Sequence, residues 1–331
     1  MRAAADMMMR PATPVAREFK QRGIALILVL WIMTLLMLIA SSFIYAMRTD
    51  VVIVANSVAR ARLEAAADAA VQRGVFEIFK PPQLPGRWSA DGVAQTWGYQ
   101  GITVEISMTD ESGKIDINTV SAALLRGLFL AQGLKEDEAA SMTDAILDWR
   151  DPDSLKRLRG AEEAEYVAAG YTYKPANAAF QSNEELRLVM GMTPELYEKV
   201  APLITIYSRQ PGINASIAAR GVLLALPGAT GAIVDQYMEQ REQARAAKLP
   251  IPQLAVAAPY SSFANGIVII RAVATDGEGP QASNFVREAV VMRLATPKRP
   301  YTFLRWKEGT TSPQVAQTGT SISSIAPATQ Q

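Results

Sequence analysis

"FKQRGIALILVLWIMTLLMLIASSFIYAMRTD", residues 19–50, decides how the rest of the chain is read. A basic stretch ends at Gly23, and no charged residue follows from Ile24 to Met47. A secretory signal has an apolar core of roughly 7–15 residues and then a small-x-small cleavage site. This run is longer. As a helix it rises about 36 Å, enough for a hydrocarbon core of about 30 Å. Arg2, Arg10, Arg17, Lys20 and Arg22 outnumber Asp6 and Glu18 ahead of it. That bias puts the N-terminus on the cytoplasmic side and exports the remainder.

The helical pattern continues past the apolar run. Val51, Val54, Val58, Ala65, Val71, Val75 and Ile78 keep near-helical spacing without a proline, until "PPQLPG" follows Lys80. One helix from Ile24 to Phe79 would be on the order of 84 Å long. The order basic stretch, glycine, apolar run resembles the class III leader of type IV pilins and pseudopilins. The resemblance implies that a prepilin peptidase cuts between Gly23 and Ile24 and methylates the Ile24 amine. The apolar segment would then remain as an assembly helix. A plain signal anchor with an incidental glycine is the alternative. Ordinary pilins carry glutamate at the fifth mature position, where this chain has Leu28. A carboxylate in the bilayer costs at least a few kcal/mol, and in that family it pairs with the terminal amine of a neighbouring subunit. Leu28 cannot make that pair. Its presence resembles the K-type minor subunit and implies a place at a filament tip.

Bulk composition narrows the classes. The 331 residues allow two ordinary domains, and the net charge of +1 points to no polyanionic partner. The chain has neither cysteine nor histidine. Ser/His/Asp and Cys/His nucleophile systems and histidine-containing zinc sites are therefore excluded. An enzyme built on carboxylates, Lys, Ser or Tyr is left open, and the expectation is that the protein is not an enzyme.

After the long helix, "WGYQGITVEISMTDESG" (97–113) alternates Ile102, Val104, Ile106 and Met108, which predicts one half-buried strand. Helical periodicity dominates 119–248. Two apolar runs flanking "DGEGPQ" within 266–295 predict an antiparallel hairpin, and "YTFLRW" (301–306) a further strand. Residues 307–331 are rich in Ser, Thr, Gln and Ala and are expected to be disordered. The expected fold is α+β: a pilin-like long N-terminal helix packed on a small antiparallel sheet, with a large inserted all-α domain. Its divisions are a cytoplasmic leader (1–23), a transmembrane and stalk helix (24–80), a first part of the sheet domain (81–113), the insertion (114–260), C-terminal strands (261–306) and the tail (307–331).

The insertion contains a weak duplication. "KIDINTVSAALLRGLFLAQGL…DAILDWRD" from Lys114 and "PGINASIAARGVLLALPGATGAIVDQYMEQR" from Pro211 share Ile-Asn, a leucine-rich helix, a glycine turn, Ala-Ile and a terminal arginine. Asn118, before Thr119 and Ser121, suits a helix N-cap. The unit resembles a helix-hairpin-helix, or SAM-like, repeat. Such hairpins often hold DNA phosphates on backbone N–H groups, so a membrane-anchored DNA-binding or DNA-uptake protein is the rival reading. Residues 114–153 hold four basic side chains against eight acidic ones. That balance repels phosphate, and no nucleic-acid partner is expected.

The densest polar feature is "DAILDWRDPDSLKRLRGAEEAEY" (144–166). Asp148, Asp151 and Asp153 fall where a helix should end before Pro152, and Glu162, Glu163 and Glu165 follow. Clustered hard oxygens suit Ca²⁺, although the EF-hand spacing is missing. A solvated loop, with Asp151 and Glu162 paired to Arg150, Arg157 or Arg159, is the plainer alternative.

Here several motifs agree. "DESGKIDINT", "AILDWRDPDS", "GAEEAEY", "YKPANAAFQSNEELRLVMGMTPELYEKVAPLITIYS" and "YTFLRWKEG" together resemble the minor pseudopilin K family of type II secretion. The likeness runs in order from about residue 21 to 306. It implies calcium in the insertion, carried over onto Asp148, Asp151, Asp153 and Glu162, with Asn177 as a further candidate. It also implies other minor pseudopilins in a tip complex, prepilin peptidase, an inner-membrane assembly platform and secreted cargo as partners. The location implied is the bacterial inner membrane, with a periplasmic C-terminal domain.

Overall fold

In the computed structural model, residues 24–81, 83–277 and 283–309 are described, and the chain divides into two units at Arg60. The leader with Gly23, and residues 310–331 of the expected tail, lie outside the described residues. Helix α1 spans Ile24–Phe79. Its large apolar side chains in the first unit are exposed from Ile24 to Val58. Among the described residues it is the one helix long and apolar enough to cross a membrane.

In the second unit, five strands form one antiparallel sheet. They are β1 (Gln95–Tyr99), β2 (Ile102–Asp110), β5 (Ile267–Asp276), β6 (Ser283–Thr296) and β7 (Arg299–Glu308), in the order β1-β2-β5-β6-β7. Two shorter strands, β3 (Ile115–Asp116) and β4 (Ile204–Thr205), make a separate parallel pair. The single strand expected within 97–113 is instead a hairpin with its partner just upstream. Gln100 and Gly101 both have positive φ, 49° and 84°, and Tyr99 pairs with Ile102 across them. Two left-handed residues in a two-residue loop match the twist of antiparallel strands. At the other end, Lys307 and Glu308 pair with Glu288 and Arg287, so the last strand outruns the expected boundary at 306.

The sheet buries one face against α1. Ile102, Val104, Ile106 and Met108 point inward from β2, and Leu63, Ala66, Ala67, Ala70 and Val71 meet this face from the helix at 3–4-residue spacing. Small residues let helix and strand approach: a Cβ on Gly74 would come within 2.9 Å of Ile270 Cγ2. Arg287 of β6 reaches back to α1, with Nε 2.6 Å from Asp68 and Nη2 2.6 Å from Glu64.

Between β2 and β5 the chain builds a second core, drawn wholly from residues 115–260. Its helices are α2 (Ala122–Ala131), α3 (Glu136–Arg150), α4 (Glu163–Ala168), α5 (Pro194–Val200), α6 (Arg220–Leu223) and α7 (Gly231–Ala246). The N-cap of α2 is Ser121 rather than the expected Asn118. The Asn118 side chain is engaged elsewhere, donating to the Phe180 carbonyl and accepting from the Phe180 N–H. The two sequence copies share a contact. Arg150 donates to the carbonyls of Ile117 and Val120, and Arg241 to those of Ala215 and Ala218. Each copy also turns on a left-handed glycine, Gly133 and Gly228.

Gly127 of α2 lies against the Ala225 carbonyl, which an added Cβ would strike. Gly127→Ala is expected to destabilise the insertion by about 1–3 kcal/mol, seen as a lowered melting temperature. Wild-type melting would show that the two halves are not pressed together there.

Candidate cation site

Helix α3 ends at Arg150, and Asp151 forms its C-cap before Pro152. Asp144, Asp148 and Asp151 recur at helical spacing and so share one face. Asp148 is completely buried. Its carboxylate accepts the Arg157 backbone N–H at 3.2–3.3 Å and lies 3.3 Å from Arg157 Nε. The same guanidinium extends Nη2 to Asp151 Oδ2 at 3.2 Å. Asp144 accepts the Arg159 N–H, and Asp153 accepts the Leu155 N–H. The carboxylates at the end of α3 and just beyond it thus fold the loop 153–159. Gly160 completes the wrap, since a Cβ there would collide with the Asp148 carboxylate.

Glu162 opens α4, where its N–H donates to Glu165 Oε2. Its side chain is 6% exposed, yet Oε1 has no hydrogen-bond partner. Asn177, at φ 46°, donates its amide to the Asp153 carbonyl and Ser154 Oγ, leaving Oδ1 buried and unpartnered. Asp151 Oδ1 is in the same condition. Three of the five sequence candidates therefore each present an unsatisfied oxygen. Each such group costs about 1–3 kcal/mol.

Electrostatics bind the set together. Burial, and then the charges of Asp151 and Asp144, push Asp148 up to about 6 against the Arg157 bonds. Burial raises Glu162 as well, followed by the charges of Asp148, Asp151 and Asp153. The plainer reading is half met: Asp151 does pair with Arg157, whereas Glu162 Oε1 is left alone. Among the described residues no three acidic side chains already stand in a metal-holding arrangement; the cation in place is Arg157. The donor set is nonetheless all oxygen, acidic and partly unsatisfied, which fits a hard divalent cation of flexible coordination. Sequence reasoning missed Asp144, Arg157 as a loop anchor and Gly160. The i, i+4, i+7 aspartates and the glycine ending the basic run were the available signals.

Residues 106–209, which contain this whole site, match the family model described as "Type II secretion system (T2SS), protein K". Over that segment the chain is similar to the type II secretion system K proteins. It is 27% identical over 229 residues to the protein K of Klebsiella pneumoniae, covering 62% of this chain and 70% of that one. It is 27% identical over 210 residues to that of Pectobacterium carotovorum, covering 56% of this chain and 62% of the relative. Its fold is similar to a chain in the crystal structure of the GspK-GspI-GspJ complex of enterotoxigenic Escherichia coli. The TM-score is 0.56 at 16% identity, over 75% of this chain and 95% of that one.

Asp148 supplies a pH test. Its native pKa of about 6 exceeds the ordinary 3.8, so its contribution to stability is complete below about pH 4 and is lost as pH rises through about 6. In EGTA the melting temperature should fall across that window. Asp148→Asn should flatten the fall and raise melting at neutral pH by about 2–4 °C. An unaltered slope would mean that the buried charge is not strained.

Proposed function

We propose that this chain is a non-enzymatic minor pseudopilin at the tip of a type II secretion pseudopilus. There it starts assembly with other minor pseudopilins for export of folded proteins across the outer membrane. The observation that carries the reading is the helical block inserted between β2 and β5 of a sheet packed on α1, whose first part falls in the segment 106–209 matching the K family. The neighbour of similar fold was solved with GspI and GspJ, which supports minor pseudopilins as partners. Leu28 leaves no acidic group for a further subunit to pair with, and the inserted domain, here read as helix-hairpin-helix repeats, is too bulky for a filament shaft. Prepilin peptidase would cut between Gly23 and Ile24 and methylate Ile24. The apolar helix would anchor the chain once in the inner membrane, cytoplasmic N-terminus first, beside the assembly platform. The exported part would lie in the periplasm, within reach of cargo. Nothing specific favours the DNA-binding alternative.

Calcium is proposed at Asp148, Asp151, Asp153, Glu162 and Asn177. Bound there, it would keep the carboxylates ionised and couple its binding free energy to folding of the insertion. Mass spectrometry of the N-terminus from membranes tests the processing: a start at N-methylated Ile24 is expected, and an intact Met1 contradicts it. For the cation, melting of the full chain in detergent should rise by several degrees from EGTA to millimolar calcium, tracked by Trp149, whose indole donates to Glu185 beside the site. Identical curves would remove calcium from the account.

A further inference from the structure

We propose that Arg157 is an internal counter-ion of the acidic pocket, and that calcium enters by displacing its guanidinium from Asp148 and Asp151. This rests on the calcium reading above. The guanidinium spans two of the proposed ligands, with Nε 3.3 Å from Asp148 and Nη2 3.2 Å from Asp151. Asp148 is fully buried and cannot turn its charge to water. An arriving cation and the guanidinium therefore claim the same oxygens, and two positive charges cannot share them.

The two attachments of Arg157 do different work. Its backbone N–H bonds the Asp148 carboxylate directly, which holds the loop whatever the side chain does. Its side chain supplies only charge, and at 44% exposure it is free to swing out. The flanking Leu155 and Leu158 are strongly exposed, so the swing disturbs no core. What remains after displacement is a set of oxygens that lack partners: Asp151 Oδ1, Asn177 Oδ1 and Glu162 Oε1, the last on a side chain more than nine-tenths buried. The arginine therefore keeps mutually repelling carboxylates in one loop shape when calcium is scarce. It also sets the calcium concentration at which the exchange occurs.

Calorimetric titration of calcium into the full chain in detergent tests this with Arg157→Met and Arg157→Lys. Arg157→Met should bind calcium at least about threefold more tightly than wild type and melt lower in EGTA, with the two melting temperatures converging in saturating calcium. Arg157→Lys, a charge without the fork, should fall between them. Wild-type binding together with equal or weaker binding by Arg157→Met overturns the displacement and leaves the calcium reading standing. No heat and no melting shift in any of the three proteins overturns both. Should Arg157→Met fail to fold in EGTA, ¹⁵N-arginine NMR of the wild type decides. The Arg157 Nε–Hε resonance moving to the free-arginine position on adding calcium supports displacement, and an unmoved resonance refutes it.

Discussion

The β2–β5 ladder is the interaction on which the rest of the second unit depends. Eight residue pairs, from Thr103↔Thr275 to Asp110↔Val268, join the strands that precede and follow the helical block in sequence. Closing so long an excursion costs little more than closing a short one, because loop entropy grows only logarithmically with length. What must be controlled is the junction. Asp110 accepts the Ser112 N–H at the exit, and the Ser112 carbonyl accepts the Asn214 N–H from the second sequence copy. Deeper in, buried Asp116 accepts from the Asn118 N–H, Ser208 Oγ and the Arg209 N–H. These bonds tie the start of the block to its far half. The sheet can then close while the block keeps a core of its own.

Inside that block, charge is used to organise backbone. Arg150 and Arg241 each gather two carbonyls in the loop ahead of a helix. Asp144, Asp148 and Asp153 do the converse, gathering N–H groups of the loop that follows α3. Hydrogen bonds to ionised groups are about twice as strong as neutral ones, so a loop with little apolar content can hold a fixed shape. The same economy leaves carboxylates crowded and three oxygens unsatisfied. The cation proposed above would supply those oxygens with a partner.

The chain itself announces much of this. The uncharged run after Gly23 and the proline-free stretch beyond it specify α1 almost to the residue, since periodicity over many turns is a cumulative signal. The β5–β6 hairpin is legible for the same reason. The β1–β2 turn is not: Gln100–Gly101 lacks the usual Asn-Gly or Asp-Gly signature, and left-handed backbone at glutamine leaves no mark in composition. The role of Asn118 was equally hidden, because its partner Phe180 lies 62 residues away. At the site, residue types suggested an acidic cluster, but only packing reveals which oxygens lack partners. Arg157 could be guessed as a partner of Asp151, yet not as an anchor through its own N–H.

These features meet in the proposed tip position: the block between β2 and β5 has a core distinct from that of the sheet, and the proposal is that it is too bulky to repeat along a filament shaft. Electron microscopy of assembled pseudopili, with a gold label fixed to a loop of the insertion, tests this directly. The account predicts one label at a single end of each filament. Labels recurring at regular intervals along the shaft would contradict it.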